Sequence, residues 1–218
     1  MIRQIKVKVA AKVNLSLNIT GRANGYHLLD SVFASVSVYD TITVRDRVDG
    51  KVTVSFTNPN IPYERNRVLD AVHALRRRFG DFGVDIVVEN RIPVGGGLGG
   101  SSADAAGVIR ALDRIYGFSD RGVDLSAVAA EVGSDVPFMI SGGFARVTGR
   151  GERLRFFSAD VRKKAVLLSP DTPVLTAECF GRFDERGDVG NVADNDRLVA
   201  ALESGKDFSP YVGNALTA

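Results

Sequence analysis

Hydrophobic and polar residues alternate along the first part of the chain, which is the pattern of strands that bury one face. Aliphatic residues at positions 5, 7 and 9 alternate with lysines, and a second alternation runs through 13–19. Lys12 and Asn14 fall on the polar side of that second alternation. The pattern therefore predicts two consecutive strands, with Lys12 and Asn14 together on one polar face.

Turn residues separate these strands from the next ones. Segment 20–27 contains two glycines and an asparagine and predicts a turn-rich loop. Beyond it, segments 41–44 and 51–56 predict two further strands. The Asp49-Gly50 pair between them is typical of a β-hairpin turn.

Three later segments have the 3.6-residue periodicity of amphipathic helices. The first spans 67–79, the second starts near Ser101 or Ser102, and the third spans 125–132. A strand-like alternation at 84–88 lies between the first two. These segments predict three helices and one more strand.

The order of these elements predicts an α+β fold. Strands dominate the start of the chain, and two helix-like segments then follow each other directly, which a regularly alternating α/β sheet would not show. Later in the chain the pattern is weaker. Segment 182–196 is polar and contains glycines, and it predicts a loop.

Composition and charge exclude several classes of protein. With 28 Lys and Arg against 26 Asp and Glu, the 218-residue chain has a formal charge of +2, and no basic and aromatic stripe predicts nucleic-acid binding. Cys179 is the single cysteine and there are two histidines, so an internal disulfide and a structural zinc site are not expected. The sequence shows no signal peptide and no apolar run of membrane-spanning length. A cytoplasmic protein that does not bind membranes is therefore expected.

The strongest chemical signal is a glycine-rich segment. Five of the 23 glycines lie within residues 95–100, directly before a predicted helix. The backbone N–H groups of such a segment, together with the positive end of the helix, suit an anion such as a nucleotide phosphate. Asp104 lies near the start of the same helix, where a carboxylate is favourable. A tight structural turn is the alternative, although five glycines exceed what a turn needs.

Two well-known phosphate-binding loops fit this segment poorly. Gly95, Gly97 and Gly100 match the G-x-G-x-x-G spacing. A dinucleotide fold, however, requires the helix to lead into a parallel strand, whereas a helix-like segment follows here. The Walker P-loop requires a lysine before its Ser or Thr, and Gly100-Ser101-Ser102 contains none. A cationic group must therefore come from elsewhere in the chain.

Four motifs together resemble one superfamily of small-molecule kinases. Residues 93–106 are similar to the phosphate loop of the GHMP kinases, and three other motifs follow the order of that family. They are Ala-Lys-Val-Asn-Leu at 11–15, Gly-Tyr-His at 25–27 and Gly-Ser-Asp-Val-Pro-Phe at 133–138. Within the superfamily, the set resembles the branch that phosphorylates 4-diphosphocytidyl-2-C-methyl-D-erythritol.

The resemblance implies a reaction and two catalytic residues. The reaction is transfer of a phosphoryl group from ATP, with Mg²⁺, to the 2-hydroxyl of that substrate, a step of non-mevalonate isoprenoid biosynthesis. Lys12 and Asp135 match the lysine and the aspartate that meet at the acceptor oxygen in the family. Asp135 would take or orient the hydroxyl proton, and Lys12 would lower the pKa of the oxygen.

The resemblance also implies binding residues. Tyr26 would stack on the cytosine, His27 would bond the edge of the base, and Phe180 would cover its other face. Asn14 would reach the substrate. Asn66 resembles a position near the nucleotide, although an asparagine before a helix is also a common N-cap. No metal ligand is implied, and the other expected ATP-binding residues are Pro93, Val94, Gly95, Gly96, Gly97, Leu98, Gly99, Gly100, Ser101, Ser102 and Ala103.

The family pattern leads to further expectations about domains and activity. Residues 1–155 would form an N-terminal GHMP domain, with a ribosomal-protein-S5-like fold, and 156–218 a partial C-terminal domain. Family members continue with a second glycine-rich stretch of Gly-Ser-Gly type that this sequence does not contain, so a shortened and slow kinase is expected. Two alternatives stay open: a GHMP kinase for another alcohol, such as homoserine or mevalonate, and a nucleotide-binding relative without turnover.

Overall fold

The computed structural model describes residues 3–61, 66–161, 163–168, 176–187 and 190–217. Helices and strands are mixed along the chain, which confirms the predicted α+β class. The strands are β1 Gln4–Ala23, β2 Tyr26–Arg47, β3 Val52–Phe56, β4 Gly83–Glu89, β5 Phe144–Gly149, β6 Arg153–Phe157 and β7 Gly213–Asn214. The helices are α1 Arg67–Phe79, α2 Gly100–Tyr116, α3 Leu125–Val132, α4 Val136–Ser141, α5 Thr176–Arg186 and α6 Asn195–Glu203.

The predicted helices are confirmed, because their capping signals are local. Asn66 Oδ1 accepts a hydrogen bond from the Leu69 N–H at 3.0 Å at the start of α1. Asp124 caps α3 in the same way, with Oδ1 2.8 Å from the Ser126 nitrogen. Helix α2 begins at Gly100, one residue before the predicted start.

The described chain divides into two compact units. Unit 1 comprises Met1–Ala11, Ser37–Pro93 and Gly99–Ser141, and unit 2 comprises Lys12–Val36, Val94–Leu98 and Gly142–Ala218. Both units draw on the first 155 residues, so the predicted domain division at residue 155 stays a prediction.

Unit 1 contains a mixed sheet and helices α1 to α4, which pack on one another. Strand β4 pairs in parallel with β3 and antiparallel with residues 41–47 of β2. The predicted hairpin at Asp49-Gly50 is therefore wrong, because β4 lies between the two strands that this turn connects. Helix α2 packs closely on the sheet at Gly107, where a Cβ atom would collide with Ile42 and Val9.

Unit 2 is built on the remaining parts of β1 and β2. Residues 29–34 of β2 pair antiparallel with β5, which pairs with β6. Ser16 and Leu17 of β1 pair in parallel with β7. Helix α6 packs three buried residues, Leu198, Val199 and Leu202, around Val32.

Two local expectations in unit 2 need correction. The predicted loop 20–27 is mostly strand, and the turn is confined to Asn24 and Gly25, with Asn24 at a φ of 51°. The predicted loop 182–196 instead contains the end of α5 and the start of α6. In both cases pairing or packing with distant parts of the chain outweighs the local turn signal.

The strand that carries Lys12 is also more deeply buried than an alternating pattern indicates. Ser16 and Asn18, on the predicted polar face, are both buried. They hydrogen bond instead to backbone groups: Ser16 Oγ accepts from the Val32 N–H, and Asn18 Oδ1 accepts from the Val192 and Ala193 N–H groups. Tertiary contacts therefore replace the water that the polar face was expected to meet.

The described part of the chain contains no helix that is both long and apolar enough to cross a bilayer. Within the same residues, no group of three or more His, Cys, Asp or Glu side chains is arranged to hold a metal ion. Cys179 is a half-buried free thiol on α5. The cytoplasmic location stays a prediction.

Candidate active site

The glycine-rich segment presents its backbone to solvent. Gly95, Gly96 and Gly97 are exposed, whereas the following residue, Leu98, is buried and anchors the segment in the protein. Gly97 has a φ of 69°, a conformation that residues with a Cβ rarely adopt. No described atom lies within 4 Å of where its Cβ would be, so the space beside it is open.

The segment leads directly into α2. Gly99 is the N-cap residue in the left-handed conformation, with a φ of 72°, and offers no side chain to cap the helix. The first intrahelical bond runs from the Ala103 N–H to the Gly99 carbonyl at 2.8 Å. The amides of residues 100–102 therefore precede the helical ladder and suit an anionic ligand.

The side chains around this helix start differ in accessibility. Val94 and Ser101 are exposed, whereas Ser102 is buried and Ala103 has no exposed surface. Pro93 is half-buried. Contact between ATP and each of the eleven residues from 93 to 103 stays a prediction, but Ala103 can contribute at most its backbone.

Lys12 is the buried cation of unit 2. Its side chain is 6% exposed, and Nζ donates to Asn14 Oδ1 at 2.6 Å. The ammonium group also lies 4.6 Å from the centre of the Phe33 ring, a cation–π contact. Asn14 in turn donates from Nδ2 to Ser31 Oγ at 3.1 Å. Lys12 and Asn14 thus share one face, as predicted, and Asn14 orients the ammonium group.

The backbone links Lys12 to the glycine-rich segment within unit 2. The Lys12 N–H donates to the Leu98 carbonyl at 3.0 Å. A displacement of Leu98 would therefore be transmitted to the strand residue that carries the ammonium group.

Asp135 lies in unit 1, directly before α4. It is half-buried, and its carbonyl accepts a hydrogen bond from the Met139 N–H at 3.1 Å. Just before it, Gly133 has no room for a Cβ atom, because the Arg67 guanidinium fills that space and donates to the Val132 carbonyl. Lys12 belongs to unit 2, so the meeting of Lys12 and Asp135 at an acceptor oxygen stays a prediction.

Asn66 has a defined structural task in unit 1. It is buried, and its side-chain oxygen caps α1. The alternative interpretation of this residue as an N-cap is therefore confirmed, and its place near a nucleotide stays a prediction.

His27 is held in an aromatic cluster of unit 2. Its ring stacks on Phe180 at a centroid distance of 4.7 Å and an interplanar angle of 22°, and it meets the Phe183 ring edge-on at 6.0 Å. The Nε2 atom lies 2.7 Å from Asp184 Oδ1, and Arg22 pairs with the same carboxylate. The Arg22 guanidinium, and then His27, lower the pKa of Asp184 below its ordinary range.

Tyr26, in contrast, is largely accessible. The residue is 58% exposed, and the Arg150 guanidinium lies 4.8 Å from its ring centre. An exposed ring with a cationic neighbour can accept a stacked planar group.

Sequence reasoning missed Asp184. It lies four residues after Phe180, so helical periodicity would have placed both side chains on one face of α5. The interpretation of 182–196 as a loop concealed that relation.

Sequence reasoning also misjudged Asp104. It lies beyond the first turn of α2, and at 3% exposure it is buried instead of facing the positive helix end. Burial, followed by the nearby Asp40 carboxyl, raises the pKa of Asp104 to about 8, against a smaller lowering by Asn90. The expected favourable interaction of an ionised Asp104 with the helix end is therefore wrong.

Similarity to known proteins agrees with these features. Residues 66–143 match the family model described as the GHMP kinases N terminal domain. A solved structure described as 4-(cytidine 5'-diphospho)-2C-methyl-D-erythritol kinase superposes with a TM-score of 0.73 at 32% identity, over 97% of this chain and 75% of that one. Mevalonate kinase from Methanococcus jannaschii has the same fold, with a TM-score of 0.57 at 14% identity, over 93% of this chain and 71% of that one.

The fold and the glycine-rich helix start define a small-molecule kinase of the GHMP class. Among the curated relatives, 4-diphosphocytidyl-2-C-methyl-D-erythritol kinase of Bacillus pumilus is 35% identical over 97% of this chain and 73% of its own length. The protein of the same name from Exiguobacterium sibiricum is 37% identical over 92% of this chain and 73% of its own length. The chain belongs to the 4-diphosphocytidyl-2-C-methyl-D-erythritol kinase family.

Proposed function

We propose that the chain transfers the γ-phosphoryl group of ATP to the 2-hydroxyl group of 4-diphosphocytidyl-2-C-methyl-D-erythritol. The observation that carries this proposal is the backbone hydrogen bond from the Lys12 N–H to the Leu98 carbonyl, which fixes the strand residue with the buried ammonium group beside the glycine-rich segment. Phosphoryl transfer benefits from a cation that is positioned where the migrating phosphoryl group meets the acceptor. The names of the relatives support the choice of substrate.

On the donor side, the glycine-rich segment would hold the phosphates of ATP. The backbone amides from Gly95 onward and the start of α2 supply N–H donors and a partial positive charge. Mg²⁺ fits this arrangement, because it is commonly held by phosphate oxygens, water and few protein ligands. When bound with ATP, the ion would neutralise charge on the phosphates; we assign it no ligand from the chain.

On the acceptor side, Lys12 and Asp135 would act on the hydroxyl group. The hydroxyl oxygen forms a bond to the γ-phosphorus while the bond from that phosphorus to the bridging oxygen breaks, and ADP leaves. Asp135 would receive the hydroxyl proton, and the Lys12 ammonium would stabilise negative charge on the reacting oxygens. Asn14 holds Lys12 in place for this task.

The aromatic cluster of unit 2 would recognise the cytosine. His27 Nε2 lies 2.7 Å from Asp184 Oδ1 and 3.2 Å from Arg22 Nη2. In the tautomer whose Nε2–H donates to the nearer Asp184, the Nδ1 atom is a hydrogen-bond acceptor. An acceptor at that position matches the amino group of cytosine and not the carbonyl oxygen of uracil. Tyr26 and Phe180 would supply the stacking surfaces.

A parallel assay of ADP release tests the proposal. The cytidylyl substrate, mevalonate and homoserine are supplied separately with Mg·ATP, and the phosphorylated product is identified by ³¹P NMR. We expect turnover with the cytidylyl substrate. Turnover with only mevalonate or homoserine would assign a different GHMP kinase activity, and ATP binding without turnover on any acceptor would favour a nucleotide-binding relative.

A variant at the cytosine site separates recognition from chemistry. His27→Ala should raise KM for the cytidylyl substrate at least about tenfold, because it removes a hydrogen bond and the Phe180 stacking partner, while KM for ATP stays unchanged. The matched control is His73→Ala, which changes an exposed histidine of α1. An equal effect of both substitutions would argue against a cytosine site at His27.

A further inference from the structure

Two carboxyl groups lie in contact in the interior of unit 1. Asp40, on β2, is 1% exposed, and Asp104, on α2, is 3% exposed. Both carboxyl groups meet the same short segment, because Asp40 Oδ1 accepts from the Arg91 and Ile92 N–H groups and Asn90 Nδ2 lies 3.5 Å from Asp104 Oδ2. Burial, followed by Asp40, raises the pKa of Asp104. Buried carboxyl groups in contact cannot both carry charge at acceptable cost, so the pair holds a proton.

Asp40 is hydrogen bonded to the backbone directly before the glycine-rich segment. Its Oδ1 accepts hydrogen bonds from the Arg91 N–H at 2.5 Å and the Ile92 N–H at 2.8 Å. These two residues immediately precede Pro93. Two hydrogen bonds from consecutive amides to one buried oxygen fix the direction in which the chain enters the segment.

Asp104 lies on the other side of the same segment, in the helix that follows it. Asn90 Nδ2 lies 3.5 Å from Asp104 Oδ2, whereas no group in the described residues donates to the buried Asp104 Oδ1. A proton on the Asp104 carboxyl, donated to Asp40, would explain a buried oxygen without a donor.

No cation is among the groups that shift the pKa of Asp104 in the described residues. The helices that pack against α2 bury apolar residues there, namely Val68, Ala71, Val72, Ala74 and Leu75 of α1, Val128, Ala129 and Val132 of α3, and Val136, Pro137, Phe138 and Met139 of α4. The polar side chains that interact with the Asp104 carboxyl are Asp40 and Asn90. The proton is therefore the remaining way to neutralise the pair.

We propose that Asp40 and Asp104 form a proton-sharing carboxyl pair that positions the glycine-rich segment for the triphosphate of ATP. The pair ties the chain before the segment to the helix after it through one hydrogen bond. Both are positioning residues, because their side chains are buried and do not reach the surface where a nucleotide would bind. The identity of the nucleotide rests on the proposed function, whereas the pair itself does not.

Loss of the shared proton replaces the attraction between the two carboxyl groups by repulsion. Two adjacent carboxylates repel each other, so α2 and the Arg91–Ile92 backbone separate and the phosphate-binding amides lose their alignment. Because the pKa of Asp104 is about 8, this loss belongs to the range from pH 7 to 9. Asp104→Asn keeps an N–H donor for Asp40 and cannot ionise, so it should keep the alignment throughout that range.

Calorimetric titration with Mg·ATP at pH 7 and pH 9 tests the proposal. Wild-type protein should bind about tenfold more weakly at pH 9, as expected when only the protonated pair binds well. Asp104→Asn should change less than twofold relative to pH 7, after the common effect of ATP ionisation is removed. The control is Asp85→Asn, a half-buried carboxylate of β4 that accepts a hydrogen bond from Thr53, and it should follow the wild type. The same decline in all three proteins would overturn the proposal.

A second measurement needs no nucleotide. The ¹³C NMR signals of the glycines at 95–97, 99 and 100 should shift between pH 7 and 9 in the free wild-type protein and stay constant in Asp104→Asn. Signals that do not move in the wild type would overturn the pair even if Asp104→Asn failed to fold. Absence of ATP binding at every pH would instead overturn the proposed function and leave the pair intact.

Discussion

At the scale of single residues, Lys12 combines burial with a polar partner and an aromatic face. An ammonium group held this way has lost much of its hydration and is ready to interact with a developing negative charge. Lys12→Met should lower kcat at least about 10²-fold, because it removes that charge and leaves Asn14 Oδ1 without its donor. Steady-state kinetics with Lys8→Met as the control checks this, since Lys8 is exposed on the same strand.

The proposed partnership of Lys12 with Asp135 has its own kinetic signature. Asp135→Asn should lower kcat by at least about 10²-fold with little change in KM, and the double variant should lose less than the product of the two single losses. Asp81→Asn serves as the control for the loss of one exposed carboxylate. Multiplicative losses in the double variant would mean that the two residues act independently.

Asp104 also predicts how stability depends on pH. Its pKa of about 8 in the folded protein exceeds the ordinary value of 3.8, so between those values the folded state binds one more proton than the unfolded state. The free energy of unfolding should therefore fall by roughly 1.4 kcal/mol per pH unit from pH 5 to 8, and the loss should end above that range.

Urea unfolding of wild type and Asp104→Asn at each pH isolates this contribution. The difference between the two proteins should follow the stated slope, with the variant becoming relatively more stable as pH rises. Parallel stability curves would place the Asp104 pKa near its ordinary value in the fold.

At the scale of elements, the glycine-rich segment leads directly into α2, and we propose that its backbone amides bind phosphate. Gly97→Val should weaken Mg·ATP binding at least about tenfold, because a branched side chain obstructs both the backbone conformation and the approach of phosphate. Gly205→Val is a matched control: its φ of 65° resembles the 69° of Gly97, and its Cβ would also meet open space. Equal binding by both variants in calorimetry would leave the segment with only a structural role.

Local sequence signals correctly predicted helices whose formation depends on residues close together in the chain. Helices α1 and α3 have a capping residue at the start, a glycine after the end and one apolar face, all readable within about 15 positions. The relation of β2 to β3 could not be predicted this way, because β4, almost 30 positions after β3, pairs with both. The turn between β2 and β3 contains no information about the later strand that pairs with both of them.

The same limit applies to the candidate site. Lys12 and Asn14 were predicted on one face because strand geometry places residues two apart on the same side. The contacts of His27 with Asp184 and of Asp104 with Asp40 join positions 157 and 64 residues apart. Neither relation follows from local spacing, and each depends on which elements pack together.

At the scale of the whole molecule, unit 2 exposes an apolar stretch. Val166 and Leu168 are 86% and 90% exposed, with Leu167 between them. Exposed apolar side chains favour association with another molecule. Leu168→Lys should lower self-association of the 218-residue chain, measured by sedimentation velocity at increasing concentration. Val48→Lys, which changes an isolated exposed valine, should have little effect; an equal response would assign the effect to net charge.

The parallel pairing of β1 with β7 also has a consequence for synthesis. Ser16 pairs with Gly213 and Leu17 with Asn214, partners that lie almost 200 positions apart. At roughly 5–20 residues per second, a ribosome needs on the order of 10–40 s to make the chain between them. Throughout that interval one edge of β1 has no β7 to pair with, although β2 is already available on the other side. Vectorial synthesis therefore makes unit 2 the later of the two units to complete its strand pairing.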